Sequence, residues 1–274
     1  MRFSFVVSAG LGYRIPDLFE TEASFEEFRS ALKLLKRHGF SGLEVNLATT
    51  EEKTLARIAK IIQGEGLQLV AVGTGLLYVK RRYSFTDRNA ARRSRAIASV
   101  SRLIAFASQH DAVVIIGLIR GGTSVSSSSG LLSRALVECD RIASEHGVRL
   151  ALEAINRYET ARLNTAAEVA SIIRDDKLRS TGMLLDSFHM NIEEASIEGT
   201  IREFHEMISH FHIADSNRLA PGRGHLDVEG QLRLLKELGY RGWASAEILP
   251  KPDNASAVVD TASFLRKRGF LSQP

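Results

Sequence analysis

The sequence has a single cysteine, Cys139, so the chain cannot form an internal disulfide bond. Cys139 falls in a predicted amphipathic helix, and we interpret it as a packed thiol. Long hydrophobic runs are also missing. The longest run, AVVIIGLI at 112–119, has the length of a buried strand, and the start, MRFSFVVSAG, is too short for a signal peptide or a membrane span. Nothing here indicates an oxidising compartment or a membrane, and we expect a cytoplasmic protein.

The sequence carries little excess charge of either sign. A formal net charge of +4 on 274 residues, with five prolines and 44% hydrophobic residues, is typical of an ordinary globular protein. The small positive surplus fits a solvated surface better than a site for an anionic substrate. Without a clear basic and aromatic groove, it also disfavours a nucleic-acid partner.

Short β-rich runs alternate with helical patterns along the whole chain. Strands are predicted at 3–7, 42–47, 67–73, 112–119, 149–155, 181–186, 209–215 and 242–248, and helices at 24–40, 51–65, 87–110, 131–147, 165–174, 198–207, 228–238 and 254–268. In the first helix, Ser24 and Glu27 form a predicted capping box and Gly39 a predicted end. Eight β-then-α units without a hairpin signal predict a parallel sheet covered by helices. They suit one closed (β/α)8 TIM barrel domain over residues 1–274.

Four consecutive predicted strands carry a polar side chain at or near their carboxyl ends: Glu153, Asp186, His212 and Glu247. Side chains alternate along a strand, so Glu153 faces the same way as Ala151, into the mouth where such barrels do chemistry. Taken singly, each residue is more often a salt-bridge or hydrogen-bond partner. Together, three carboxylates and one imidazole would repel one another without a cation. This ligand set suits one Mn²⁺, Mg²⁺ or Co²⁺ ion at the carboxyl-terminal face.

Other polar residues and loops near these strand ends allow further expectations. His210 shares the face of His212 one layer deeper, and we interpret it as a hydrogen-bonded core histidine. Asp215 has the opposite parity, so it should face the helix layer or end the strand. The basic segment 78–88 is interpreted as a solvated loop or subunit contact, and the Gly/Ser-rich loop 120–130 as a mobile lid rather than a phosphate cradle.

The motifs LEAINRYET, LLDSFHMNIEE, HFHIADSNRLAPGRGHLD and SAEI, which fall within residues 148–250, resemble those of a known family. They are similar to the ketose 3-epimerases of the D-tagatose, D-psicose and L-ribulose type, within the xylose isomerase-like barrels. The resemblance implies a divalent ion, usually Mn²⁺ or Co²⁺, on the four residues that the barrel argument selects. It also implies substrate contacts from Glu159, His189 and Arg218.

The same resemblance implies a reaction. Glu153 and Glu247 would act as catalytic proton carriers as well as metal ligands, inverting carbon 3 of a ketose through a cis-enediolate intermediate. Arg218 and His189 would hold the oxygens at carbons 1 and 2, and Glu159 would orient one end of the sugar. Arg218 would thus be paired with the substrate and not with Asp215.

Three alternatives stay open at this point. An aldose–ketose or hydroxypyruvate-type isomerase would share the four ligands and the enediolate. A multi-zinc endonuclease-type phosphodiesterase would need further ligands on the early strands, where Glu44 stands alone. A non-catalytic sugar-binding protein would have no need of both proton-carrying glutamates. The partner we expect is a small sugar, and the family suggests a homodimer or homotetramer. Which ketose, and whether it is phosphorylated, is left open.

Overall fold

A computed structural model describes residues 1–15, 19–122 and 129–272 of the chain. Its parallel strands form one sheet, and the pairing of the first strand with the last closes eight of them into a barrel. The strands are β1 (Arg2–Ser8), β2 (Tyr13–Arg14), β3 (Gly42–Asn46), β4 (Gln68–Gly73), β5 (Val113–Ile116), β6 (Leu150–Glu153), β7 (Thr181–Asp186), β8 (Ile208–Ile213) and β9 (Trp243–Ala246). The short β2 pairs only with β1 and lies outside the closed ring.

Helices follow the barrel strands and cover the outside of the sheet. They are α1 (Glu22–Arg37), α2 (Glu52–Glu65), α3 (Gly75–Arg81), α4 (Ala90–Ser108), α5 (Ser129–Glu145), α6 (Ala166–Asp175), α7 (Ser187–Glu193), α8 (Ile197–Phe204), α9 (Val228–Glu237) and α10 (Asn254–Lys267). This arrangement confirms the predicted (β/α)8 barrel. Within the described ranges, no helix is both long and apolar enough to cross a bilayer.

The start of α1 differs from the sequence-based expectation. The helix begins at Glu22, and Thr21 caps it by accepting a hydrogen bond from the backbone N–H of Ser24. The capping box therefore joins Thr21 to Ser24, and the predicted pair of Ser24 with Glu27 is wrong. Threonine caps the first turn as well as serine does, so the sequence allowed two registers three residues apart. Gly39 follows the helix with a φ of +85°, as its predicted role requires.

Two segments that lack a helical hydrophobic period in the sequence form short helices in the structure. α3 covers the start of the segment interpreted as a loop, and it is held by the buried side chain of Leu77. α7 begins directly after β7, where the Asp186 carboxylate accepts a hydrogen bond from the backbone N–H of Phe188. Each has 7 residues, too few for periodicity to show. Of the predicted lid 120–130, residues 123–128 lie outside the described residues.

The packing of the barrel interior explains why the polar side chains at the strand ends face inward. An inner apolar cluster fills the centre of the barrel and consists of Val70, Ala71, Ile115, Ala151, Leu184 and Trp243. Ala151 and Leu184 belong to it, so Glu153 and Asp186, two residues further along the same strands, face inward one layer higher. The apolar layer thus forms the floor on which the polar residues of the mouth stand.

This placement predicts the cost of emptying the barrel centre. We expect Leu184→Ala to lower the free energy of unfolding by about 2–5 kcal/mol, because the residue is fully buried and a cavity would remain. Val137→Ala shortens an aliphatic side chain on α5 that is 45% exposed. It should change the free energy of unfolding by less than about 0.5 kcal/mol. Urea denaturation of both variants measures the difference. Equal effects would contradict the position of Leu184.

Candidate metal centre and active site

The four strand-end residues, Glu153, Asp186, His212 and Glu247, come together in the barrel mouth. Each offers a ligand atom, and these atoms all lie within 4.8 Å of one another. Nδ1 of His212 is 3.6 Å from Asp186 Oδ2, 3.6 Å from Glu247 Oε2 and 3.9 Å from Glu153 Oε1. All four residues are buried, and His212 Nδ1 and Asp186 Oδ2 have no hydrogen-bond partner in the described part of the chain. Buried polar atoms of this kind are rare without a ligand, so the set fits a cation.

The charges in this cluster act strongly on one another. Burial, together with the nearby charge of Glu247, raises the pKa of Glu153 to about 8. Burial also opposes ionisation of Glu247, yet the charges of His212 and Arg218 bring the pKa of that carboxyl down to about 2. For His212, burial favours the neutral ring, but the surrounding carboxylates outweigh it and raise its pKa well above the ordinary value. The imidazolium thus serves as the local countercharge of the metal-free cluster.

Glu44, on β3, supports His212 from below. Its Oε2 lies 3.0 Å from Nε2 of His212 and 3.1 Å from Nε2 of His210. An ionised carboxylate can only accept, so Nε2 of each ring donates and Nδ1 of His212 is left to face the cluster. Nε2 of His210 is also 2.8 Å from Ser245 Oγ, which confirms the interpretation of His210 as a hydrogen-bonded core histidine. Glu44, His210 and His212 also form a second set of possible ligand atoms, but these hydrogen bonds already satisfy them.

Arg218 forms ion pairs inside the site. Its guanidinium donates to Glu247 Oε2 at 2.7 Å and to Glu159 Oε1 at 3.0 Å. The cation also lies 4.8 Å from the centre of the Phe188 ring. The sequence-based expectation pairs Arg218 with a substrate; in this structure its guanidinium pairs with the two glutamates. Its φ of +60° places it in the left-handed region, which side chains adopt at a cost that the surrounding loop must offset.

The loop after β8 holds Arg218 in that conformation through Asp215. The buried Asp215 carboxylate accepts hydrogen bonds from the backbone N–H groups of Ser216, Gly222 and Leu226, at 2.8, 2.8 and 3.0 Å. Its carbonyl oxygen accepts from the Arg218 N–H at 2.8 Å. Asp215 therefore lies just beyond the end of β8 and organises the loop, which agrees with the second of the two expectations, that it ends the strand. Strand parity does not apply once the strand has ended.

His189, at the start of α7, faces the cluster from the side. Its Nδ1 accepts a hydrogen bond from the Asn156 side-chain amide at 2.7 Å, so Nε2 carries the proton. That Nε2 lies 3.7 Å from Glu153 Oε1 and 4.0 Å from Asp186 Oδ2. The Asn156 amide also donates to Glu159 Oε1 at 3.1 Å. Asn156 thus orients two of the three predicted substrate contacts, a role that no spacing rule indicated.

Arg120 is a second residue that the sequence did not single out. It is buried behind Glu153, where its guanidinium donates to the Glu153 carbonyl oxygen, to Thr160 Oγ1 at 3.3 Å and to the Leu163 carbonyl at 3.1 Å. The arginine ties the end of β6 to the loop that follows it. Gly117 leaves room for the Glu153 carboxylate, since a Cβ at position 117 would lie 2.6 Å from Glu153 Oε2.

A cavity of about 150 Å³ opens above the cluster. The predicted site residues Glu153, Glu159, His189, His212, Arg218 and Glu247 all line it. Asp186 lies behind them, fully buried, within the ligand group. The seven residues singled out from the sequence therefore belong to one site.

The fold and this cluster can now be set beside known proteins. Residues 32–268 match the xylose isomerase-like TIM barrel family. The chain belongs to this family. A D-psicose 3-epimerase of Enterocloster bolteae is 29% identical over 264 residues, which cover 90% of this chain and 85% of the relative. A 3-dehydro-D-guloside 4-epimerase of Escherichia coli is 30% identical over 144 residues, 52% of this chain and 55% of the relative.

A solved structure of the same fold contains a sugar. The crystal structure of a D-allulose 3-epimerase from Methylomonas sp. in complex with D-allulose has a TM-score of 0.80 to this xylose isomerase-like barrel. The two share 18% identity, and the match covers 98% of this chain and 97% of the other. The relatives bear out the resemblance to ketose 3-epimerases that the sequence motifs indicated.

The raised pKa of Glu153 predicts a pH dependence of stability in the metal-free protein. In the folded chain the pKa is about 8, against about 4.3 for an unfolded glutamate. The stability that this carboxyl contributes is fully present below about pH 4.3 and is lost as the pH rises toward about 8. Glu153→Gln lacks this titration, so its stability relative to the wild type should increase from about pH 5 to about pH 8. Urea denaturation in the presence of a chelator tests this, and parallel pH profiles would contradict it.

Proposed function

We propose that this protein is a divalent-metal-dependent epimerase that inverts carbon 3 of a free ketose. The observation that carries the proposal is the group of four buried ligand atoms in the barrel mouth. The support from outside the chain is the set of relatives named ketose 3-epimerases, one of which matches 90% of the chain. The first supports a bound cation, and the second supports a sugar as the substrate.

Glu153, Asp186, His212 and Glu247 would hold the cation. Three carboxylate oxygens and one imidazole nitrogen are a hard to borderline ligand set, which favours Mn²⁺, with Co²⁺ or Mg²⁺ as alternatives. When bound, the cation would supply Lewis-acid stabilisation of negative charge on the oxygens beside the reacting carbon. The orphaned Nδ1 of His212 and Oδ2 of Asp186 support this assignment.

Glu153 and Glu247 are the proposed proton carriers. Glu153 ends β6 and Glu247 directly follows β9; these are the two outer strands of a four-strand arc, with Asp186 and His212 on the strands between them. Two carboxyl groups that flank a substrate in this way can remove a proton from one face and return one on the other. In the metal-free chain their pKa values are about 8 for Glu153 and about 2 for Glu247, so the two carboxyl groups are not equivalent.

Arg218, His189 and Glu159 are the proposed substrate contacts. They line the cavity next to the cluster and are fixed by one another and by Asn156. The guanidinium and the Nε2–H of His189 can donate to sugar oxygens at carbons 1 and 2, and Glu159 can accept from a hydroxyl. A sugar would thus meet donors that are already oriented before it binds.

The charges of the cavity favour a ketose without phosphate. Among its described lining residues, Arg218 is the one arginine or lysine, and it already donates to two carboxylates. A phosphate group would bring about two further negative charges into a site that carries several carboxylates, without a free cation to meet them. An uncharged sugar adds no such repulsion.

We expect the metal-loaded protein to exchange a sugar proton with solvent. Incubated with ketopentoses and ketohexoses in D₂O, it should incorporate deuterium at carbon 3, as read by NMR and mass spectrometry. Deuterium at carbon 1 or 2 would indicate an isomerase instead, and deuterium at carbon 4 the chemistry named for the Escherichia coli relative. No exchange on any sugar of the panel would contradict the proposal.

The same experiment tests the proton carriers. Glu153→Gln and Glu247→Gln should each abolish exchange, because an amide cannot carry the proton. Glu237→Gln makes the same chemical change on an exposed residue of α9 and serves as the control. Exchange retained in either active-site variant would remove that glutamate from its role.

Metal affinity should depend on Glu44, which touches His212 but not the proposed cation. Loss of the carboxylate that orients a histidine ligand typically weakens metal binding about 10- to 100-fold, and we expect this for Glu44→Gln. Isothermal titration with Mn²⁺ measures it, and Glu237→Gln should bind one ion per chain as the wild type does. Unchanged affinity in Glu44→Gln would contradict the support of His212 by Glu44.

A further inference from the structure

The cavity has two chemically different halves. Apart from Glu44 on β3, the charged residues described above come from β6 to β9 and the loops that follow those strands. The opposite half comes from the ends of β1, β3, β4 and β5, and most of its side chains are apolar: Leu11, Leu76, Val79, Ile115 and Leu118. A sugar that places its reacting carbon among the carboxylates must direct its remaining carbons toward this half.

Besides Glu44, which is bound to the two histidines, three polar side chains line that half, and two of them hydrogen-bond the main chain. The Ser8 hydroxyl accepts from the backbone N–H groups of Gly10 and Leu11, at 3.0 and 2.9 Å, and donates to the Leu11 carbonyl at 2.7 Å. The Thr74 hydroxyl donates to the Ile115 carbonyl at 2.7 Å. The Ser8 hydroxyl is therefore fully used, and the Thr74 hydroxyl has no donor left and can only accept a hydrogen bond from a ligand.

The third polar side chain, Asn46, is free. It lies at the end of β3, two residues after Glu44, so it faces the barrel interior one layer nearer the mouth. Its amide makes no hydrogen bond with any residue that the structure describes, although the side chain lines the cavity. An amide can donate two hydrogen bonds and accept two, all of which are available here.

The neighbouring strand leaves room for this side chain. Asn46 pairs in register with Gly73 on β4. A Cβ at Gly73 would lie 1.7 Å from Asn46 Oδ1, so any larger residue at this position would displace the amide. The Asn46 side chain thus lines the cavity, and its position there requires glycine at position 73.

We propose that Asn46 is the specificity-determining residue that hydrogen-bonds a hydroxyl on the ketose carbons beyond the reacting centre. The assignment rests on the proposed function, since it takes a ketose as the ligand. In a mostly apolar wall, a sugar hydroxyl that meets Asn46 keeps a hydrogen bond when it leaves water. A sugar that lacks this hydroxyl leaves the amide unpaired, and the site discriminates against it.

The experiment is a cycle of enzyme and substrate variants. kcat/KM is measured for the wild type and for Asn46→Leu, each loaded with Mn²⁺, on a ketohexose that the wild type converts and on its 4-, 5- and 6-deoxy analogues. We expect Asn46→Leu to lower kcat/KM for the parent sugar about 3- to 10-fold, as for one lost hydrogen bond. For one of the deoxy analogues the loss should vanish or reverse, because the group that Asn46 binds is already absent.

Controls separate a direct contact from a structural effect. Asn46→Ala should repeat the selectivity change of Asn46→Leu, and Mn²⁺ affinity should equal that of the wild type in both. A uniform loss of kcat/KM across the parent and all three analogues would overturn the role of Asn46 and leave the proposed function intact. A wild type that converts no ketose at all would overturn the proposed function and this assignment with it.

Discussion

The structure depends on the concentration of negative charge at the mouth of the barrel. Glu44, Glu153, Asp186 and Glu247 are all at most 8% exposed and surround one imidazole, that of His212. Such a group costs several kcal/mol per ion to bury unless it is paired. In the metal-free chain this negative charge is reduced by a proton on Glu153 and balanced by the His212 imidazolium and by Arg218. A divalent cation would replace the first two, and this exchange links the fold to the proposed chemistry.

The residues of this site whose positions follow from the alternation of side chains along a strand could be predicted from the sequence. Strand alternation alone puts Glu153 above Ala151 and Asp186 above Leu184, and a closed parallel barrel brings consecutive strand ends to one rim. The motifs then indicated Glu159, His189 and Arg218, which line the same cavity. The positions of the strand-end residues could be predicted because they need only local spacing and the order of the strands, whereas Glu159, His189 and Arg218 came from the resemblance of the motifs to the epimerase family.

The residues whose roles sequence reasoning missed act either through contacts far apart in the sequence or from loops. Glu44 is 168 positions from His212, and Arg120 is 33 from Glu153, so no local period relates them. Asn156 and Asp215 act from loops, where strand parity says nothing about direction. One signal was present: Glu44 is a charged residue within a buried strand, and such a residue requires a partner. The predicted start of α1 was wrong because Thr21 and Ser24 are both good caps, and local sequence does not choose between them.

The most direct measurement is a crystal structure of the protein soaked with Mn²⁺, with data collected at the manganese absorption edge. The account predicts one anomalous peak per chain, in contact with a carboxylate oxygen of Glu153, Asp186 and Glu247 and with Nδ1 of His212. It also predicts that the Nε2 of His212 still donates to Glu44. A peak at other residues, or no peak among these four at a saturating metal concentration, would contradict it.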